Sequence, residues 1–142
     1  MIFGARRFVV SKNKQFILEY RVPSDQVPSG QSVYADIVDS SGNYVGSPVQ
    51  LSRVGTTDVV RATITAPSTV GKYEIKVWIG TWDGSTRTVT EVVDYLGLEV
   101  VDKDLEDRVA DLETALSSVQ STLSDIETKL DTIMKWLKRL PL

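Results

Sequence analysis

The chain has 142 residues, and charge is uneven along it: ten Lys/Arg balance ten Asp/Glu over residues 1–101, while six bases face nine acids over 102–142. One ordinary domain with an appendage fits this length, and the neutral first part, without a basic cluster, argues against nucleic acid as a partner. Cysteine and histidine are both absent, which excludes disulfides, zinc–thiolate sites and cysteine nucleophiles and removes the commonest acid/base and metal ligand. The 42% hydrophobic and 25% charged fractions are those of a folded protein. Scarcity of Asn (Asn13 and Asn43 only), Cys and Met suits a hot environment, the expectation for a thermophile.

At the start, Arg6 and Arg7 interrupt the apolar run that a secretory signal needs. No stretch reaches the roughly 18 apolar residues of a membrane-spanning helix. From Phe8 to Val101 a two-residue period dominates. Phe16, Leu18, Tyr20 and Val22 alternate with polar neighbours until Pro23; Val33, Ala35 and Ile37 follow, then a turn at Ser40–Asn43. Val49 and Leu51 mark a short strand, Val60, Ala62 and Ile64 another, and Tyr73, Ile75, Val77 and Ile79 alternate most cleanly, against Lys72, Glu74, Lys76 and Trp78. After a turn over Gly80–Ser85 come Val89–Val93, then Leu98 and Val100. About seven short strands without an intervening helix predict an all-β antiparallel two-sheet sandwich over residues 1–101.

The stretch Ala66-Pro67-Ser68-Thr69-Val70-Gly71-Lys72-Tyr73 resembles the E–F corner of immunoglobulin-like domains. That resemblance implies a Greek-key immunoglobulin-like topology, with the Tyr73 hydroxyl tied back to the corner. The disulfide of antibody domains is missing.

At Asp102 the period changes. Leu105, Val109, Leu112, Leu116, Val119, Leu123, Ile126, Leu130, Ile133, Leu137 and Leu140 follow one another at unbroken 4-3 spacing. Asp102 or Asp104 suits the helix start and Pro141 its end. A strict 3.5-residue repeat fits a second helix supercoiled alongside, and with one such helix per chain the partner is another copy. Residues 102–142 are therefore expected to form a coiled-coil oligomerisation stalk. Val109, Leu116, Leu123, Leu130 and Leu137 take a positions. Leu at a with Ile or Val at d disfavours two strands and points to a homotrimer, with a tetramer second. Arg108-Val109-Ala110-Asp111-Leu112-Glu113 resembles a trimerisation motif in which an arginine at g reaches a glutamate at e on a neighbouring helix. Residues 102–127 hold eight acids and two bases, and 128–142 four bases and one acid. This bulk asymmetry favours antiparallel helices, whereas the motif and odd-numbered closed symmetry favour parallel ones, the arrangement expected here.

At the far end Met134, Lys135, Trp136, Lys138 and Arg139 widen the seam and add charge. They form a candidate attachment foot for a base or capsid protein or a membrane surface, or a hydrophobic plug closing the bundle. In the head, Asp39-Ser40-Ser41-Gly42-Asn43 reads as an ordinary turn, not a calcium loop. Trp82, at a hairpin tip, and Trp78 two residues before the Gly80 bend are the candidate contact residues. The acids are scattered, so no catalytic residue, cofactor, metal or small-molecule substrate is expected. An immunoglobulin-like head on a parallel coiled coil resembles virion spike or fibre subunits and archaeal S-layer stalk proteins. The latter normally carry an export signal, a transmembrane helix and glycosylation sites, and this sequence shows none. The expectation is a non-catalytic structural protein on a virion surface, with a cell-surface stalk or a cytoplasmic trimeric adaptor as alternatives. Whether head or foot is the attached end stays open.

Overall fold

A computed structural model describes residues 7–140, which excludes Pro141 and its expected role in ending the helix. Among these residues seven strands, with a short 3-10 turn (Ser24–Gln26) between the second and third, precede one α-helix: β1 (Arg7–Ser11), β2 (Gln15–Arg21), β3 (Ser32–Asp39), β4 (Tyr44–Arg53), β5 (Val59–Thr65), β6 (Gly71–Trp82), β7 (Arg87–Val101) and α1 (Leu105–Arg139). The chain divides into two compact units between Asp104 and Leu105.

The expected antiparallel sandwich is not what forms. The strands make one mixed sheet in the order β1-β7-β6-β3-β4-β5-β2, nearly closed into a barrel. Two features produce this. Strand β4 is ten residues long and belongs to both halves: it pairs with β3 from Tyr44 to Leu51 and with β5 through Ser52 and Arg53. A register shift between Ala35 and Ile37 breaks the regular β3–β4 pairing, the kind of bulge that bends a strand and increases its twist. Strand β1, which the alternation did not mark, pairs in parallel with β7, Arg7 to Gly97 through Ser11 to Val101. The chain then turns through Lys12–Lys14, with Asn13 at φ 63°, and enters β2 on the opposite edge. Hydrogen bonds from the Lys12 N–H to the Val101 carbonyl (2.8 Å) and the Asn13 N–H to the Pro67 carbonyl (3.2 Å) hold that turn. The Phe8 and Phe16 rings, 5.4 Å apart, join the first strand to the second.

The strand count of seven arises differently from the expected one. Val89–Val93 and Leu98–Val100 belong to a single 15-residue β7, which pairs with β6 through two register shifts, at Val77/Trp78 and Ile79/Gly80. The buried faces follow the alternation. Leu18, Val33, Ala35, Val60, Ile64, Ile75, Val77, Ile79, Leu98 and Val100 share one core. Alternation reports which face of a strand is dry, and that pattern is common to a barrel and a sandwich. The Tyr73 hydroxyl donates to the Thr69 carbonyl at 2.8 Å, so the local corner is present within a different overall sheet.

Candidate functional site

Helix α1 has 35 residues and, at about 1.5 Å per residue, is roughly 52 Å long. Glu106 and Asp107 lie in its first turn and Lys138 and Arg139 in its last, each complementing the helix dipole. Immediately before it, Asp104 is tied to the head. Its N–H donates to Ser11 Oγ (2.8 Å), and its carboxylate accepts from Lys14 Nζ (2.9 Å) and the Ser11 N–H (3.3 Å). Asp102 instead forms an exposed ion pair with Lys12 at 3.1 Å.

The eleven seam residues are 44–75% exposed, from Val109 at the low end to Leu105 at the high end. Patches of this kind mark association surfaces, because each Leu or Ile taken out of water contributes about 1.5–3 kcal/mol. The polar residues around the seam do not compete for it. Thr114, Thr122, Thr128 and Thr132 each donate their hydroxyl to the carbonyl four residues back, at 3.0–3.1 Å. Beside the seam, the g positions are Arg108, Ala115, Thr122, Lys129 and Trp136, and the e positions Glu106, Glu113, Gln120, Glu127 and Met134. Parallel helices set each g beside the e five residues later on the neighbour. Arg108 then meets Glu113, and no like-charged pair arises. Antiparallel helices in full overlap set e beside e, so Glu113 meets Glu127 and Arg108 gains no carboxylate. Between neighbouring helices the flanks would thus pair opposite charges in a parallel arrangement and like charges in an antiparallel one, the reverse of what bulk charge would prefer. In the foot, Met134 and Trp136 are 55% and 66% exposed, alongside exposed Lys135, Lys138 and Arg139.

In the head, the two tryptophans lie in different surroundings. Trp78 points to the outer face but has no exposure: it stacks on Tyr34 at 4.7 Å, and its indole N–H donates to Asp36 at 2.8 Å. It therefore presents no surface to a partner. Trp82 ends β6, half-buried, with the Arg87 guanidinium 5.0 Å from its ring. The hairpin tip beyond it is organised by Asp83, whose carboxylate accepts from the Thr86 N–H (2.7 Å), the Ser85 N–H (2.8 Å) and the Ser85 hydroxyl (3.2 Å). Those backbone bonds, Thr86 first, hold the carboxyl below the usual aspartate range. In the other turn, Asp39 accepts from the Ser41 and Asn43 N–H groups, each at 2.9 Å, so this side chain serves its own turn.

Sequence reasoning did not single out Asp36 and Arg87. Asp36 has no side-chain exposure and receives a two-pronged bond from Arg87, Nε at 2.9 Å and Nη2 at 2.8 Å. Arg87 also donates to the Gly46 carbonyl (2.9 Å) and lies 3.9 Å from the Tyr44 ring centroid. The Asp36 hydrogen bond raises the Arg87 pKa above the ordinary guanidinium value, partly offset by burial. Alternation marks Asp36 as a surface residue; only the aromatics sharing its face, Tyr34 and Trp78, hint at a cover. Among the described residues no cluster of three or more potential ligands could hold a metal ion, and no helix is long and apolar enough to cross a membrane. No protein-family model matches the chain, and no curated protein shows significant similarity to it.

Proposed function

We propose that this chain is a non-catalytic structural subunit whose C-terminal helices associate into a parallel three-stranded coiled coil carrying β-barrel heads. A surface appendage of the virion spike or fibre type is the role that suits such an assembly. The observation that carries the reading is the exposed, unbroken seam from Leu105 to Leu140. A stripe two residues wide in every seven is the width a coiled-coil neighbour covers, and Leu at four of the five a positions with Val or Ile at three of the six d positions disfavours two strands. A barrel head in place of an immunoglobulin-like sandwich removes the head's share of the likeness to virion spikes and to S-layer stalks alike, and the seam of α1 carries the reading alone.

Sedimentation equilibrium of the full chain at micromolar concentration should give three times the 15.7 kDa chain mass. A monomer would sink the stalk, and a tetramer would replace the trimer while keeping it. Attachment through the foot is checked separately. Trp136→Ala with Lys135→Glu and Lys138→Glu should leave the oligomer intact and abolish incorporation into the native particle; normal incorporation would make the head the attached end.

A further inference from the structure

A groove of about 700 Å³ crosses the outer face of the sheet where β3, β6 and β7 run side by side. Register builds its floor. Val38 lies opposite Glu74, and Glu74 opposite Gly97, whose missing side chain leaves a depression beside Tyr95. Tyr95 is 50% exposed and Tyr44 41% exposed, and both line the groove. The Tyr44 ring is held in place: Arg87 lies against it, and its hydroxyl accepts from Lys76 Nζ at 2.8 Å. Because Arg87 is itself locked on buried Asp36, this wall exists before any ligand arrives, which lowers the ordering cost of binding.

The chemistry of the lining narrows the ligand. Lys72 and Lys76 are matched by Asp39 and Glu74, so the groove carries no net charge. A polyanion would meet two carboxylates and a polycation two ammonium groups. A purely apolar ligand would strip water from the Lys72 and Glu74 heads without replacing their hydrogen bonds. What remains is a neutral molecule with flat apolar faces and a rim of hydroxyls. Tyrosine rings offer an apolar face with a polar tip, and carboxylate and ammonium groups form charge-assisted bonds to hydroxyls. We propose that the groove bounded by Tyr44 and Tyr95 binds a neutral glycan, with sugar rings stacked on the Tyr95 face and hydroxyls bonded to Glu74 and Lys72. The site lies wholly in the head and holds whether or not the helices associate. On an oligomer it would be repeated, and weak single-site binding would gain from avidity.

The test is saturation-transfer NMR on the full chain with neutral oligosaccharides of glucose, mannose and N-acetylglucosamine, beside a heparin oligosaccharide as the anionic comparison. At least one neutral series should bind with a dissociation constant of about 5 mM or tighter. Tyr95→Ala should weaken it at least about tenfold, equivalent to 1.4 kcal/mol, while Tyr95→Phe keeps most of it and Glu74→Gln loses an intermediate share. Absence of transfer to every neutral series at that concentration overturns the proposal. So does binding of heparin alone, or binding that Tyr95→Ala leaves unchanged. The sedimentation mass of these variants should equal that of the parent, which separates failure of the groove from failure of the stalk.

Discussion

Asp36 occupies an outward position of β3 and yet is fully covered, which makes Arg87 its indispensable partner. Removing one member of a buried ion pair leaves the other uncompensated, at a cost of about 3–5 kcal/mol. Arg87→Ala should therefore lower the unfolding free energy of the head, read from urea curves, by that amount. It should also release Tyr44, visible as loss of order in that ring by NMR. A destabilisation below about 1 kcal/mol would mean that water reaches Asp36. Gly80 is the second residue on which the head depends. A Cβ there would stand 1.9 Å from the Thr88 carbonyl oxygen and 2.9 Å from the Trp78 ring. The obstacle is backbone of the paired strand β7, so no side-chain rotation relieves it. Gly80→Ala should cost about 3 kcal/mol or more, measured by the same unfolding curve, the upper part of the usual overpacking range.

At the scale of elements, what was legible in the sequence was whatever depends on near neighbours. The strand faces, the Tyr73 corner, the Asp83 turn and the whole of α1 follow from spacing over a few residues. The sheet's closure was not legible. It depends on β1 pairing with β7 some ninety positions away, and Val9 at 50% exposure breaks the alternation that would have marked β1. Likewise nothing local says that Val89–Val93 and Leu98–Val100 form one strand, because bulges against β6 interrupt the period there. The burial of Asp36 was illegible for the same reason, since its cover comes from Arg87, 51 residues on. The β6–β7 hairpin carries a pH prediction of this local kind. The Asp83 pKa is lowered in the folded chain, so its turn-stabilising bonds are present above the unfolded aspartate value and are lost as pH falls through the folded one. The Thr86 and Ser85 amide shifts should thus hold down to a pH below the ordinary aspartate midpoint and then move together with the Asp83 carboxyl carbon. Movement at or above that midpoint would show that the turn is not closed in solution.

For the whole molecule as an oligomer of the kind proposed, the orientation of the helices would decide whether the heads gather at one end or spread to both. The two arrangements make opposite demands on Glu113. Beside Arg108 of a parallel neighbour it forms an ion pair; beside Glu127 of an antiparallel one it adds repulsion. Glu113→Lys should therefore destabilise a parallel oligomer, by about 0.2–0.5 kcal/mol for each pair lost and again for each new Lys–Arg repulsion. The same substitution should stabilise an antiparallel oligomer, where a new attraction to Glu127 replaces the repulsion. The sign is the result, read as the change in midpoint temperature of α1 at low salt and fixed chain concentration, and it should shrink in 1 M salt, where the screening length falls to about 3 Å. Exchange of both charges, Arg108→Glu with Glu113→Arg, should restore the parent midpoint only in the parallel case. A midpoint that rises with Glu113→Lys would turn the assembly end to end. The heads and their grooves would then lie at both ends, and the Trp136 foot would be placed against a neighbour's helix start, where it could not serve as a base.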